Sequence, residues 1–397
     1  MEKIVLFATD RECSGCGACG SACSVGAITM SEDSCGYVYP AIDQEKCVHC
    51  GKCLRVCGYK NPVLSAAQCA FAAVGRQEQI VKNSTSGGVF ATWAYGAVEQ
   101  GWQVAGAVMD MENGNVSVHH MLSGSPSDIP RMQGSKYVQS DAGHCYADIC
   151  KALRDGKNVL FSGTPCQVAA IKALTGDPDQ LVTVDVICHG VPPVRQFQEF
   201  LNILSKRFAG KIETFSFRDK DNPKPYMAKL KIKKGKKHWK YCVSAQYLSF
   251  YQHFLDGAVC RQSCYNCPFA TCNRVSDLTI GDYWEIEKYH SKDIQSGQMP
   301  NRRDWSCILV NSAKGKAFFD RFSGQLHCYD TNAEWIVASN GQLREPSKES
   351  PKRKNILKAY QNKGYAAVEQ LYIREKGGKL RFYWRMLKNL SRNCYED

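Results

Sequence analysis

Two runs of four cysteines with one shared spacing constrain this chain more than any other feature: Cys13, Cys16, Cys19 and Cys23, then Cys47, Cys50, Cys53 and Cys57. Each run reads C-x2-C-x2-C-x3-C. Three thiolates three residues apart can wrap one face of an iron–sulfur cube, while the fourth sits on a short helical turn leading away. In chains with two such runs that fourth cysteine ligates the other cube. The spacing therefore predicts one 4Fe-4S cluster on Cys13, Cys16, Cys19 and Cys57, and a second on Cys47, Cys50, Cys53 and Cys23. A zinc or disulfide knot would use paired C-x2-C units rather than triplets. The pattern implies electron-transfer chemistry.

Composition agrees. Twenty-two cysteines in 397 residues are too many for an ordinary reduced fold, and the chain is too long for a disulfide miniprotein. The apolar run Ile4–Ala8 before the first motif is too short for a signal peptide. No stretch of about 18 apolar residues would span a bilayer. A reducing, cytoplasmic compartment is expected, and the length suits two or three domains. The formal charge of +13 is uneven: residues 1–60 hold 6 Lys and Arg against 7 Asp and Glu, and residues 344–397 hold 14 against 6. No nucleic-acid-binding motif accompanies that basic tail, so nucleic acid is not expected as a partner. The tail reads as a solvated helix or as a docking surface for an acidic redox protein.

Between the cysteine runs, Gly36–Pro40 has the look of a short strand. Ser24 and Gly58 stand where a proline usually follows the fourth cysteine, a departure that removes no ligand. Residues 61–83 read as a connection. Beyond it, Asn83–Gly88 opens a helical pattern, Val104–Met109 reads as a strand, and Tyr146–Leu153 as a short helix. Asn158–Ser162 and Leu181–Cys188 read as buried strands, with helices at Thr164–Leu174 and Val194–Phe208. Apolar strands alternating with helices argue for a mixed sheet covered on both faces. Ile212–Arg218 and Ala228–Lys233 alternate apolar and polar residues, with a hairpin tip at Lys233–Lys237 and solvated lysines on one face.

Cys166 and Cys188 each fall where a predicted strand ends, the edge at which open α/β sheets bind ligands. A third element, Cys264 and Cys267, lies within the wider set Cys260, Cys264, Cys267 and Cys272. Three such elements favour a further metal site, whether local or discontinuous. Ser84–Gly88 before a helix offers hydroxyls, backbone N–H groups and a positive dipole end suited to phosphate, or simply an N-cap with a close-packed glycine pair. Gly134–Tyr137 is a second small-residue turn carrying Lys136. No G-x-G-x-x-G follows a strand, so a conventional dinucleotide site is not supported. His189 is the best-placed candidate acid, with a core histidine as the alternative.

The ordered motifs SxSGG (84–88), GSKY (134–137), GTPCQ (163–167), CHG (188–190), SCYNCPF (263–269) and SDLTIGDYW (276–284) resemble those of the family of coenzyme F-420 hydrogenase and dehydrogenase beta subunits, over roughly residues 10–310. The resemblance implies FAD together with 4Fe-4S clusters, and hydride transfer between the flavin and an organic partner. It makes Ser84, Ser86, Gly87, Gly88, Ser135 and Lys136 candidate FAD contacts, with Gly163, Thr164 and Pro165 in the same pocket. It also repeats Cys166, Cys188, Cys264 and Cys267 but not Cys260 or Cys272, which implies a discontinuous third cluster. Lys136 is the candidate for flavin negative charge, and Asp282 for a structural or substrate-side hydrogen bond.

The expected architecture is α+β. A two-cluster ferredoxin domain (1–60) joins an α/β flavin-binding domain (61–343, in parts 61–160 and 161–343) with a mixed, largely parallel sheet, then a basic helical tail (344–397). The expected activity is that of an iron–sulfur flavoprotein oxidoreductase exchanging electrons with a soluble ferredoxin or a reduced deazaflavin. The alternatives are a non-catalytic electron-transfer subunit with a partner protein, and a binding module that has lost its flavin.

Overall fold

A computed structural model describes residues 3–112, 114–222 and 224–395. The head contributes a hairpin of β1 (Ile28–Glu32) and β2 (Val38–Ile42), with the helical turns Ala18–Ala22 and Lys52–Arg55 packed on each other. Each turn starts at a glycine with positive φ, Gly17 (86°) and Gly51 (68°), which lets the chain reverse between the second and third cysteine of each run.

The centre of the molecule is an eight-stranded sheet. Its strands are β3 (Cys69–Gly75), β4 (Gln103–Glu112), β5 (Asn115–Ser123), β6 (Val159–Gly163) and β7 (Leu181–Val186), and later in the chain a second group joins them. A separate four-stranded antiparallel sheet begins with β8 (Lys211–Ser216), β9 (Met227–Lys234) and β10 (Lys237–Ser244). The large sheet then resumes with β11 (Leu278–Asp282), β12 (Ser306–Val310) and β13 (Leu326–Asp330), and β14 (Ser391–Tyr395) closes the small one. The large sheet has the order β13-β3-β12-β11-β7-β6-β4-β5 and the small one β14-β10-β9-β8. The sheet is mixed as expected but not largely parallel: the central run β11-β7-β6-β4 is parallel, and the four remaining pairings on its flanks are antiparallel. All five residues of β6 are buried, consistent with helices on both faces.

Cys69–Gly75, read from sequence as connection, is a strand held between β12 and β13. Its alanine-rich sequence has little strand propensity of its own, and tertiary pairing overrides it. The hairpin at 227–244 turns at Gly235, with Leu230 and Ile232 buried and the intervening lysines outward, as alternation requires.

The tail departs from a purely solvated helix. Arg353–Glu375 carries a break at Lys363 and Gly364 (φ 64°, ψ −169°), and it packs on Val194–Phe208. Ile356, Tyr360, Tyr365, Val368, Tyr372 and Phe382 join Phe197, Phe200 and Phe250 in one aromatic core. A buried Arg207–Glu369 ion pair ties the same surfaces together.

Candidate functional site

At the carboxyl ends of β6, β7 and β11 the chain opens into a cavity of about 780 Å³. That volume falls within the range of small-molecule and cofactor pockets. The position follows from topology, because parallel strands leave their carboxyl edge free for the loops that carry ligand-binding groups. Gly163, Thr164, Cys166, Cys188, His189, Asp282 and Trp284 reach the wall from those strand ends.

The turns at 84–88 and 134–137 form the opposite wall and are tied to each other. Ser135 donates from its N–H and its hydroxyl to Thr85 Oγ1 at 2.8 and 2.9 Å, and the Gln133 amide donates to Ser84 Oγ at 2.8 Å. Ser84 and Ser86 spend their hydroxyls on protein, donating to the carbonyls of Ile80 and Trp305. Lys136 is half-buried in the wall, its Nζ donating to the carbonyls of Arg131 (3.1 Å) and Gln133 (2.8 Å). Burial brings this amine down to about 7.

Two of the residues assigned from the resemblance do not reach the cavity wall. Gly87 donates its N–H to Ser306 Oγ at 2.9 Å, and a Cβ there would meet the Ala73 carbonyl at 2.5 Å. Its smallness serves packing against β3, so the groups free to face a ligand are those of Gly88 and the first turn of the helix Val89–Glu99. Pro165 is the first residue of the helix Pro165–Thr175, where its fixed φ suits a helix start. Thr164 and Gln167 close a capping box on the same turn, so GTPCQ is a helix start as well as a cysteine carrier.

His189 lines the cavity, with its Nδ1 3.0 Å from the Gln342 amide nitrogen. That donor requires Nδ1 to accept, and burial holds the ring below its ordinary pKa, so the imidazole is neutral. Asp282 accepts from Arg218 Nη1 at 3.1 Å, and the same guanidinium stacks 5.5 Å from the Trp284 ring. Thr85 and Arg218 were not singled out in the sequence. The first occupies the variable place of its motif, and the second lies at the end of a strand that belongs to the other sheet.

The head docks against this cavity. Cys13, Cys16, Cys19, Cys53 and Cys57 line a small void of about 30 Å³, and Cys16 also reaches the large cavity. Burial pushes the thiols of Cys13 and Cys16 up to about 11 and that of Cys19 up to about 12, and Cys57 adds like-charge repulsion to each. Cys53 is likewise raised, first by burial and then, among neighbouring thiols, by Cys50 and Cys47. Cys23 ends the turn Ala18–Ala22 and accepts from the Ala27 N–H at 3.3 Å. Among the described residues no three metal-binding side chains converge on a single ion. A cube needs no such convergence, since each thiolate takes a separate iron around a shared volume.

A further set lies beside the cavity. Burial raises Cys166, Cys188, Cys264 and Cys267, and Cys188 is additionally pushed up by Cys264, Cys166 and Cys267. Four thiols from three separate segments thus lie within electrostatic reach of one another. Gly190 explains how: a Cβ there would meet Cys260 Sγ at 2.8 Å and Cys264 Cβ at 3.3 Å, so only glycine lets the two segments touch. Cys272 is exposed, and Cys260 is buried with Arg353 and Cys264 as its charged neighbours.

Residues 156–332 match the family described as the carboxyl-terminal part of the coenzyme F420 hydrogenase/dehydrogenase beta subunit, and residues 12–61 match the 4Fe-4S dicluster domain. The two matches together join an iron–sulfur head to a domain like that of F420 hydrogenase/dehydrogenase beta subunits. An uncharacterized protein of Methanocaldococcus jannaschii is 24% identical over 374 residues, covering 84% of this chain and 92% of the relative. A subunit of the F(420)H(2) dehydrogenase of Methanosarcina mazei is 22% identical over 331 residues, covering 80% of this chain and 84% of the relative. A chain of the solved F420-reducing NiFe hydrogenase complex of Methanosarcina barkeri aligns with a TM-score of 0.43 at 14% identity, covering 79% of this chain and 94% of that one. The protein is an iron–sulfur electron-transfer protein related to F420 hydrogenase and dehydrogenase subunits. No helix among its described residues is long and apolar enough to cross a membrane.

Proposed function

We propose that this chain is an FAD-dependent iron–sulfur oxidoreductase working in the cytoplasm, passing electrons between a soluble ferredoxin or reduced deazaflavin and an organic acceptor. The observation that carries the reading is the shared wall: one cavity is lined by Cys16 of the head, by Cys166 and Cys188, and by the turns at 84–88 and 134–137. Iron–sulfur groups carry single electrons whereas a flavin handles one or two, which is why such a wall suits both.

In this reading Cys13, Cys16, Cys19 and Cys57 hold one 4Fe-4S cluster and Cys47, Cys50, Cys53 and Cys23 the other. Cys166, Cys188, Cys264 and Cys267 hold a third. Gly88 and the first turn of Val89–Glu99 offer N–H groups to a phosphate, in place of the contacts first assigned to the Ser84 and Ser86 hydroxyls and to Gly87. Ser135, Gly163 and Thr164 shape the pocket around the dinucleotide. Lys136, when protonated, supplies positive charge to that end of the cavity. His189 presents a neutral imidazole oriented by Gln342 at the cavity wall, with its Nε2 buried and without a partner. Arg218 and Asp282, paired with each other, line the same cavity. Residues 1–60 act as the electron-carrying domain, 61–343 as the flavin domain, and the basic tail 344–397 as structural support.

Anaerobic purification tests this directly. Bound FAD, about 12 iron atoms per chain, and flavin reduction by one of reduced F-420, NAD(P)H or ferredoxin are expected. Clusters without flavin would overturn the assignment. Flavin that exchanges electrons with the clusters but with no organic acceptor would favour a non-catalytic role in which a partner protein completes the reaction.

A further inference from the structure

Arg261 is fully buried, yet every partner it has is neutral. Its Nη2 donates to the Val38 carbonyl at 2.7 Å and to Gln139 Oε1 at 2.8 Å, and Nε reaches the same Gln139 oxygen at 3.2 Å. The guanidinium lies over the Tyr39 ring, 4.5 Å from its centroid, and Nη1 is buried with no hydrogen-bond partner. Burying a lone charge costs several kcal/mol, so such groups are ordinarily paired. Something anionic belongs beside Arg261.

Its surroundings say what. Gly15, between Cys13 and Cys16, passes so close that an added Cβ would lie 2.5 Å from Nη2. Gln139, which fixes the guanidinium, also donates to the Gly15 carbonyl at 3.0 Å. On the other side the Arg261 carbonyl accepts from the Cys264 N–H at 3.0 Å, and its own N–H donates to Val191, just past the C-H-G segment. The positive charge acts on Cys13 of the head and on Cys166 and Cys264 of the second cysteine set. One cation therefore stands between two groups of thiolates from different domains.

We propose that Arg261 is the common counter-charge of the inner head cluster and the cluster on Cys166, Cys188, Cys264 and Cys267. This rests on the reading that those four cysteines hold a cluster. Adding one electron to either site increases its negative charge by one, with no bond made and no proton moved. A fixed neighbouring cation favours that reduced state at both sites. Because the cation is shared, the two potentials rise together, so both sites become easier to reduce while the step between them is left unchanged.

The test is an EPR-monitored redox titration of the anaerobically purified full chain. Arg261→Met should keep its iron while the inner head signal and the third signal both become harder to reduce. The expected change is at least tenfold in the reduction equilibrium, which is about 59 mV for a one-electron couple. The outer head signal should not move. Arg261→Lys, which keeps the charge but not the fork, should recover most of the shift. If Arg261→Met does not accumulate, Arg261→Gln keeps an amide donor for Val38 and removes the charge, and carries the same expectation. Unchanged potentials in the neutral variants overturn the proposal, as does an equal loss in Arg261→Lys, which would assign the effect to packing. About 8 rather than 12 iron atoms in the unaltered chain would instead remove the second site itself, a failure separable from that of Arg261.

Discussion

The two cysteine runs share one spacing and live in opposite surroundings. The first faces inward: Ser14 is buried, and Cys16 reaches both the void among the head cysteines and the large cavity. The second faces outward at its start, with Cys50 exposed and Val48 60% exposed beside it, and turns inward at the buried Cys53, beyond which Tyr59 donates to the Ser263 carbonyl at 2.9 Å. Spacing thus sets which thiolates can share a cube, while packing sets which cube can reach the rest of the protein. The outer run suits exchange with a soluble partner, and the inner run suits transfer into the sheet domain.

The largest expected effect separates the runs by their iron. Cys16→Ser should lower iron by about 4 atoms and leave the outer signal intact, and Cys50→Ser should do the reverse. Cys57→Ser should follow Cys16, and Cys23→Ser should follow Cys50, when each signal is read by EPR. Loss of the sequence-adjacent cluster in those last two variants would break the crossed ligation.

A second pair compares the positions just after each fourth cysteine. Gly58 abuts Ala169, whose carbonyl an added Cβ would meet at 2.7 Å, whereas Ser24 is exposed. Gly58→Val should cost about 1–3 kcal/mol by overpacking the seam, and Ser24→Val should stay within about 0.5 kcal/mol. Thermal melts of the holoprotein decide it, and equal costs would mean that the segment just after Cys57, the cysteine assigned to the inner cluster, is not pressed on the sheet.

Next comes the cavity that only the inner run touches. Lys136 is protonated below about 7 and neutral above it. An anionic dinucleotide favours the protonated form, so flavin retention should rise as pH falls through 7, and Lys136→Met should flatten that dependence. Flavin loss should then alter the inner EPR signal and spare the outer one. The smallest effect is Tyr59→Phe, which removes one seam hydrogen bond and should cost about 0.5–1.5 kcal/mol in unfolding free energy.

Much of the fold was legible in the sequence. The iron–sulfur head followed from cysteine spacing, and the strands at 159–163 and 181–186 announced themselves as apolar runs of the right length. The helix Val194–Phe208 matches its periodicity to the residue. What sequence hid was non-local. Cys69–Gly75 becomes a strand only because Ser306–Val310 and Leu326–Asp330 flank it. Gly87 looked like a phosphate glycine because a tight packing contact and a ligand cradle demand the same small residue. Arg261 carried no motif at all, since its meaning lies in two cysteine groups brought together by folding.

That sheet order also dictates a history. The strand at residues 69–75 cannot be enclosed until residues 306–330 have left the ribosome, whereas both head motifs are complete by residue 57. Synthesis delivers domains from the N-terminus onward at a few residues per second, so the inner cysteines spend that interval open to solvent. The interval is when cluster-building machinery can reach them. Once the seam closes, Cys16 should resist alkylation in chains already released, while Cys50 stays reactive unless its iron is in place. Pulse-chase labelling with a thiol reagent would show Cys16 protected late and Cys50 protected only by metal.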